Sequence, residues 1–527
     1  MKMRRLFPTL AVLLFGAAAA RADLVTISGS IGDGVNATAM TWYATNEYLL
    51  DRVIYVQSNA VLTVQAGTVV KGATNVAVLQ NGFNNVRLSA LWVTRGGKLY
   101  ATGTVAKPII FTAEGDDLNG NYSGLAKGLW GGVVLLGRAT LNSAKDPTGN
   151  VSSPVYEVFE GTTGAGTIPE HVMGGNDDND SSGALQYVSI RHPGKLFAPA
   201  EEINGLTMGG VGRGTLLDHV EVFSSDDDGF EWWGGTVNST YLVASFCIDD
   251  DFDTDQGYRG TNQFWFGLKP PTFGTADSRG WETDGEINQD GVPALPISNW
   301  KAYNVTLIGR GKTNTSFGGG AAWNLRDEAA PEMYNSIVTE FNQGLLLDND
   351  GTIYATNGPA GVWNTIWNVT DQANNNGDFF FTTASYSNTL ADPLLGGISY
   401  TNNGQLNPRP QAGSPAFGNV LAGAPVAVSY RGAFSANDSW ADGWTALSSQ
   451  GYLTPAAPEL GIKLVNGNVE VSWNVMSDAS YQLQTNAPLT GTWRNSGSPI
   501  LSDSVGVITV TNAAGLGENY YRVILTK

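Results

Sequence analysis

One cysteine, Cys247, and three histidines, His171, His192 and His219, are all the thiol and imidazole metal ligands in 527 residues. A single cysteine excludes an internal disulfide framework, and its place far from the N-terminus excludes a lipid-anchored N-terminal cysteine. Free cysteine is usually buried, so Cys247 is expected in a core. Histidines so scattered make a poor zinc set, which wants closely spaced ligands. Basic residues are also scarce: 29 Lys and Arg against 48 Asp and Glu leave a net charge of −19. That balance argues against a nucleic-acid partner, because a phosphate backbone rewards dense positive charge. It argues equally against electrostatic docking on an anionic membrane.

Long apolar runs are missing too. Leu6 to Ala20 is broken by Pro8 and Gly16 and is too short to span a bilayer; no other stretch approaches the length required. With Lys2, Arg4 and Arg5 before it and Ala20-Arg21-Ala22 after it, the run reads as a secretory signal over 1–22, with a mature chain from about Asp23. The expected location is therefore outside the cell or on its outer surface. Helical periodicity is scarce as well.

What is abundant is glycine, 66 residues of it, punctuating short β-branched runs. Examples are AVLTVQAGTVVKG (60–72), KPIIFTA (107–113), ALQYVSIRH (184–192), LDHVEVF (217–223) and TYLVASF (240–246). Such runs, bounded by Gly, Asn or Asp, predict an all-β chain, and their intervals match coils of a solenoid. The clearest repeat joins SSDDDGFEWWGG (224–235) to IDDDFDTDQGYRG (248–260). A shift of 22 places Asp227, Asp228, Phe230 and Glu231 over Asp249, Asp250, Phe252 and Asp253. The flanks fit a shift of 23, with Val220 over Val243 and Phe223 over Phe246. A third copy, GWETDG (280–285), offers Glu282 as the next rung.

The phrases TVQAGTVVKG, GGKLYATGTVAKPIIFTA, WGGVVLLGRA and DPLLGG…RPQAGSPAFG resemble secreted bacterial right-handed parallel β-helix proteins of the pectin-lyase-like class. The resemblance covers about Asp23 to Leu453 and implies a parallel β-helix domain over 23–453. GGNDDNDSSGALQYVSIRHPG and DDDGFEWWGGTVNSTYLV resemble a subgroup of uncharacterised surface or secreted proteins of that class. TPAAPELG reads as a linker over 454–461. The alternating segments beyond it predict a small C-terminal β-sandwich over 462–527, fibronectin-III-like in outline, as a spacer or sorting module.

Successive side chains of a strand face opposite ways, and neighbouring strands lie about 4.8 Å apart. If Phe230 and Phe252 point inward, then Glu231, Trp233, Asp253 and Asp255 point out, and Glu231 and Asp253 stack as adjacent carboxylates. Like charges so close retain a proton or recruit a cation. Candidate ligands for Ca²⁺ are Asp227, Asp228, Glu231, Asp249, Asp250, Asp253 and Asp255, with Asp178 and Asp180 in a second oxygen-rich loop, NDDNDSSG (176–183). That loop matches only the first half of an EF-hand pattern, since its twelfth position is Ser189. It and LDNDG (347–351) read first as plain Asx turns, because Asp and Asn hydrogen-bond their own backbone there.

An enzyme on this fold needs a base or an acid–base pair. Asp228, Glu231, Asp250 and Asp253 with Arg259 or Arg279 are the candidate catalytic groups, and Arg191 beside His192 is a further base. The Asn-Thr-Asp, Gly-His-Gly and Arg-Ile-Lys signatures of polygalacturonases are absent. Trp232, Trp233, Trp265 and Trp281 form either a sugar-stacking platform or caps over a coil edge. The expected function is binding of an extracellular polysaccharide or cell-surface glycan, with structural cations at the acidic ladder. A polysaccharide lyase or glycoside hydrolase acting on acidic polysaccharide is the alternative, and a structural surface-layer component the third. Oligomeric state is not legible.

Overall fold

The computed structural model describes residues 23–525 apart from 77–86, 121, 123–124, 144–154, 160–167, 199–200, 273, 275–277, 287–292, 316–319, 349–357, 375–376, 455–459, 467, 476–478, 487–491, 503–505 and 514–519. The signal segment 1–22, most of the linker and part of LDNDG lie outside the described residues.

The chain winds into a right-handed parallel β-helix. One wall is a ten-stranded parallel sheet running from Val53–Val56 to Asp371–Ala373, with each coil adding one strand. The other walls are an 18-stranded set of β-pairings. Phe230 lies beside Phe252 and Glu231 beside Asp253, so the 22-residue repeat is one coil. The same interval holds in the flank: Val220 pairs with Leu242 and Phe223 with Ser245. The 23-residue shift expected there is therefore wrong for this coil. It belongs to the next, where Leu242 pairs with Trp265. Matching Val220 to Val243 was misleading because several aliphatic residues fit the same wall position.

Large apolar residues fill the interior. Trp232, Trp265, Trp281, Trp300 and Trp323 follow one another with ring centroids 4.9, 4.7, 4.2 and 5.7 Å apart. Their indole N–H groups find partners where the chain supplies them: Trp300 Nε1 donates to Thr254 Oγ1 and Trp323 Nε1 to Thr283 Oγ1, both at 2.9 Å. Stacked coils bury apolar surface on every turn, which is how a chain with no disulfide holds together.

One residue per coil turns the corner of the wall in the left-handed conformation: His219, Tyr241, Phe264, Asn304, Asn335 and Asn364. Asparagine tolerates that conformation well, and here its side chain is used twice over. Asn335 exchanges two 2.8 Å hydrogen bonds with the backbone of Leu421, and Gln263 does the same with Val426 at 2.8 and 2.7 Å. Both partners belong to residues 391–454, which are not coils. The last strand paired into the solenoid wall is Thr389–Leu390. The chain then runs back along the outside as a strap, packing Phe434, Trp444, Leu447 and Tyr452 against Phe223, Val243, Phe246 and Phe266.

Beyond the strap, a three-stranded antiparallel sheet (Leu460–Val465, Asn468–Val475, Gly506–Ala513) and a four-stranded one centred on Ala479–Asn486 enclose Val471, Trp473, Tyr481 and Leu483. Among the described residues no helix is long and apolar enough to cross a membrane.

Candidate functional site

The outer face of the ten-stranded sheet carries one row of side chains in register: Thr207, Glu231, Asp253, Glu282 and Asn324. Alternation explains it, since Phe230, Trp232, Phe252 and Trp281 on the same strands fill the interior. Two residues before each strand a second row appears. Asp228 N–H donates to Asn204 Oδ1 at 3.2 Å, Asp250 N–H to Asp228 Oδ1 at 2.7 Å, and Arg279 N–H to Asp250 Oδ1. Each side chain satisfies the backbone of the coil that follows, which gives these aspartates a structural reason for their place. The third member of the second run, Asp251, points instead into the fold and is fully buried.

Together the two rows wall a cleft of about 410 Å³. Asp228, Asp249, Asp250, Asp253, Glu282 and Asp348 supply its acids, and Arg279, Arg326 and Asn324 complete the lining. Glu231 accepts from Asn204 Nδ2 at 2.5 Å and from the indole of Trp233. Arg326 pairs with Glu282 and, at 3.2 Å, with Asp284. Oxygen atoms of Asp228, Glu231 and Asp253 all lie within 4.8 Å of one another, as do those of Asp227, Asp228 and Asp249. Asp253 Oδ1 and Asn324 Oδ1 are buried with no hydrogen-bond partner among the described residues.

Such crowding raises the cost of ionisation. Burial, followed by the charges of Asp227, Asp253, Asp250 and Asp249, pushes the Asp228 carboxyl well above the usual carboxylate range. Burial and then Glu231, Glu282 and Asp284 do the same to Asp253. Asp250 is raised by burial and by Asp249 and Glu282, with Lys269 and Arg279 pulling the other way. Glu282 is raised by burial against the opposing pull of Arg326 and Arg279.

The ladder drawn from the sequence thus converges, but it is not out in solvent: Glu231 is 7 % exposed and Asp228 8 %. Asp227, Asp228, Glu231, Asp249, Asp250, Asp253 and Arg279 come together. Asp255 lies further along its strand, with Oδ1 accepting from Gln256 N–H at 2.5 Å, and its charge acts on Asp284. Asp178 and Asp180 are elsewhere: Asp178 accepts from Thr140 N–H and from Arg259, and Asp180 from Arg138 N–H. Arg259 is therefore tied to that loop, and Arg191, buried beside Ser189, belongs to another wall. Neither is among the residues lining the cleft.

The sugar platform is a correction. Trp232, Trp265 and Trp281 are completely buried inside the coils, and Trp233 is 4 % exposed. Trp233 does face outward, but Phe159 packs on it with ring centroids 4.7 Å apart. No face of these four rings is free for a sugar. Arg326 and Asn324 were not foreseen; their signal was WNLRD (323–327), a fourth copy of the aromatic–polar pair, hidden by the loop before it. Asp348 comes from LDNDG, weighed above as an oxygen-rich loop or a plain turn.

No curated protein matches this chain. Among solved structures, the enzymatically active domain of bacteriophage CBA120 tailspike protein 2 is similar at 9 % identity and a TM-score of 0.23, covering 90 % of this chain and 69 % of that one. The sequence profile described as a pectate-lyase like beta helix domain matches residues 34–445, most of the coiled body and its strap. The chain belongs to that family of pectate-lyase-like β-helix domains.

Proposed function

We propose that the acidic cleft holds divalent cations, Ca²⁺ above all, and that through them the protein binds acidic polysaccharide outside the cell. The observation that carries this reading is the trio Asp228, Glu231 and Asp253, whose oxygens lie within 4.8 Å of one another. Oxygens that share one Ca²⁺ at about 2.4 Å lie no more than about 4.8 Å apart, a condition this trio meets. Asp253 Oδ1, buried without a donor, is the kind of atom an ion satisfies. Hard oxygen ligands without sulfur or imidazole favour Ca²⁺ over Zn²⁺. A bound cation and the guanidinium groups of Arg279 and Arg326 supply positive charge in a cleft that is otherwise acidic, and a uronate carboxylate is complementary to both.

A lyase or hydrolase is the second reading. Two features favour it: Arg279 lines the cleft as a candidate base, and Asp228, Asp250 and Asp253 are carboxyls with raised proton affinity. One experiment separates the readings. The full chain, stripped with chelator, is offered acidic and neutral polysaccharides with and without Ca²⁺, and both retention and new chain ends are measured. Calcium-dependent retention of acidic chains, lost in Asp253→Asn, with no new ends, supports binding. New unsaturated or reducing ends abolished by Glu231→Gln support the enzyme. Neither result, together with self-association, sinks both and leaves a structural surface component.

A further inference from the structure

At the N-terminal edge of the ten-stranded sheet, away from the acidic cleft, a second pocket of about 470 Å³ opens on the surface. Tyr55 lines it and stands in the same outer row as the acids. Tyr55 pairs with Trp92, Trp92 with Val134, Val134 with Thr207 and Thr207 with Glu231. Four strand spacings separate Tyr55 from Glu231, or about 19 Å. Trp92, the next ring in the row, is covered by Phe159 and His171, with ring centroids 4.6 and 4.8 Å away. That cover divides the pocket from the cleft.

The polar groups of this pocket are held in place from behind. A 2.9 Å hydrogen bond joins Tyr55 Oη to His171 Nε2, so the phenol end is anchored inward and what it leaves open is ring carbon. Glu170 is fixed at two atoms. Its carbonyl oxygen accepts from Trp92 Nε1 at 2.9 Å, and its Oε1 from Gln57 Nε2 at 3.0 Å. Asp51 fixes the other charged group, accepting from Arg52 Nε at 2.8 Å and Nη2 at 3.3 Å, and from Ser28 Oγ at 2.6 Å. Arg52 Nη1, Glu170 Oε2 and the Ser30 hydroxyl have no hydrogen-bond partner among the described residues, and all three side chains line the pocket.

Charge decides which ligand this arrangement suits. Asp51 already neutralises Arg52, while Glu170 has no ion-pair partner among the described residues. An anionic sugar would meet the Glu170 carboxylate without a compensating cation, which is costly away from bulk water. A neutral sugar needs no counter-charge. Its hydroxyls both donate and accept, and so match a carboxylate oxygen, a guanidinium N–H and a serine hydroxyl together. Hydrogen bonds to charged groups are the stronger kind. The C–H face of the sugar is complementary to Tyr55, Val53 and Ile168. Apolar walls, a few fixed polar groups and this volume are the common make-up of a small-molecule site. We propose that the pocket beside Tyr55 binds a neutral sugar residue, without any cation and independently of the acidic cleft.

Saturation-transfer NMR on the full chain tests this directly. The probes are maltose, cellobiose, lactose and mannobiose, with digalacturonate and glucosamine as charged counterparts, all in the presence of chelator. No cation can then enter the acidic cleft, so the outcome does not depend on whether that cleft binds calcium. The expected result is transfer to at least one neutral disaccharide. Its affinity should fall at least about tenfold in Glu170→Ala and in Arg52→Ala, the loss of one hydrogen bond to a charged group. Gly29→Trp should abolish it. Gly29 lines the pocket, and a Cβ built there meets no atom within 4 Å, so the indole fills the space while the melting temperature stays native. Absence of transfer to all four neutral disaccharides would overturn the proposal, as would transfer that survives Gly29→Trp unchanged. Transfer to digalacturonate or glucosamine alone would show a charge-selective site and overturn it equally.

Discussion

Replacing Asp253 by asparagine puts the account of the cleft under most strain. Two unit charges 4.8 Å apart, the outer limit for the oxygens of Asp228, Glu231 and Asp253, repel by about 3 kcal/mol at an effective dielectric of about 20. An ionised Asp253 faces two such neighbours, and burial adds to the cost of its charge. Without a cation it therefore holds its proton more tightly than a free carboxyl does. Asparagine copies the shape of that neutral acid. Asp253→Asn should then leave the chelator-stripped protein within about 1 kcal/mol of native stability, a small effect for a change in a buried cluster. With Ca²⁺ the outcome differs, because the variant lacks one anionic ligand. If the loss matches one charge interaction of about 3 kcal/mol, affinity falls about a hundredfold. At calcium 100 times the native Kd, the native protein gains about 2.7 kcal/mol and the variant only about 0.4. Calorimetric titration and thermal melting of both proteins, with and without Ca²⁺, measure this. A variant that melts far lower without calcium yet responds normally to it would refute the reasoning, because Asp253 would then be a structural carboxylate and not a ligand.

Three further outcomes follow from the same structure. Asp228, Asp250 and Asp253 have folded-state pKa values raised above the unfolded ones; their contribution to stability is complete below the unfolded value near 4 and is lost as pH climbs through the raised values. The native-minus-Asp253→Asn difference in melting temperature should therefore fall as pH rises above the unfolded carboxylate value near 4 without calcium and reverse with it. A difference independent of pH would contradict the burial of these acids. Trp281→Ala should cost about 3–5 kcal/mol in denaturant unfolding, since the ring is fully buried in the coil stack. An unfolding cost near zero combined with lost glycan retention would return that ring to the surface. Glu221 accepts from Ala446 and Leu447 N–H at 2.6 and 3.2 Å, so Glu221→Ala should speed amide exchange in the strap around 440–454 while leaving calcium affinity unchanged. Protection that stays native-like in that segment would show that the carboxylate does not hold the strap.

The coil period and the pairing of Glu231 with Asp253 were legible because two copies of one motif stand a single uninterrupted coil apart. Glu282 was legible as the next rung despite the insertion, since GWET repeats GFEW. Exposure was not legible. A strand pattern tells which side chains leave the coil, but not what covers them; Trp233 leaves it and meets Phe159, about seventy residues earlier in the chain. Trp281 stands in the column of Phe230 and Phe252, so the same alignment that placed Glu282 also places that ring inside. The strap was hidden for a different reason. Its apolar residues pack on the coils, but the polar contacts that fix its path use backbone carbonyl and amide groups read by Gln263, Asn304, Asn335 and Asn364, and backbone groups leave no mark in a sequence. The run of aspartates proved divided in purpose: Asp228 and Asp250 each serve the next coil's backbone as well as the cleft, while Asp251 turns inward to Lys269.

The most direct test is anomalous diffraction from crystals of the full chain grown with calcium. The account expects a peak within bonding distance of oxygens from Asp228, Glu231 and Asp253. A cleft holding only water at saturating calcium, with those carboxyls hydrogen-bonded to one another, would contradict it.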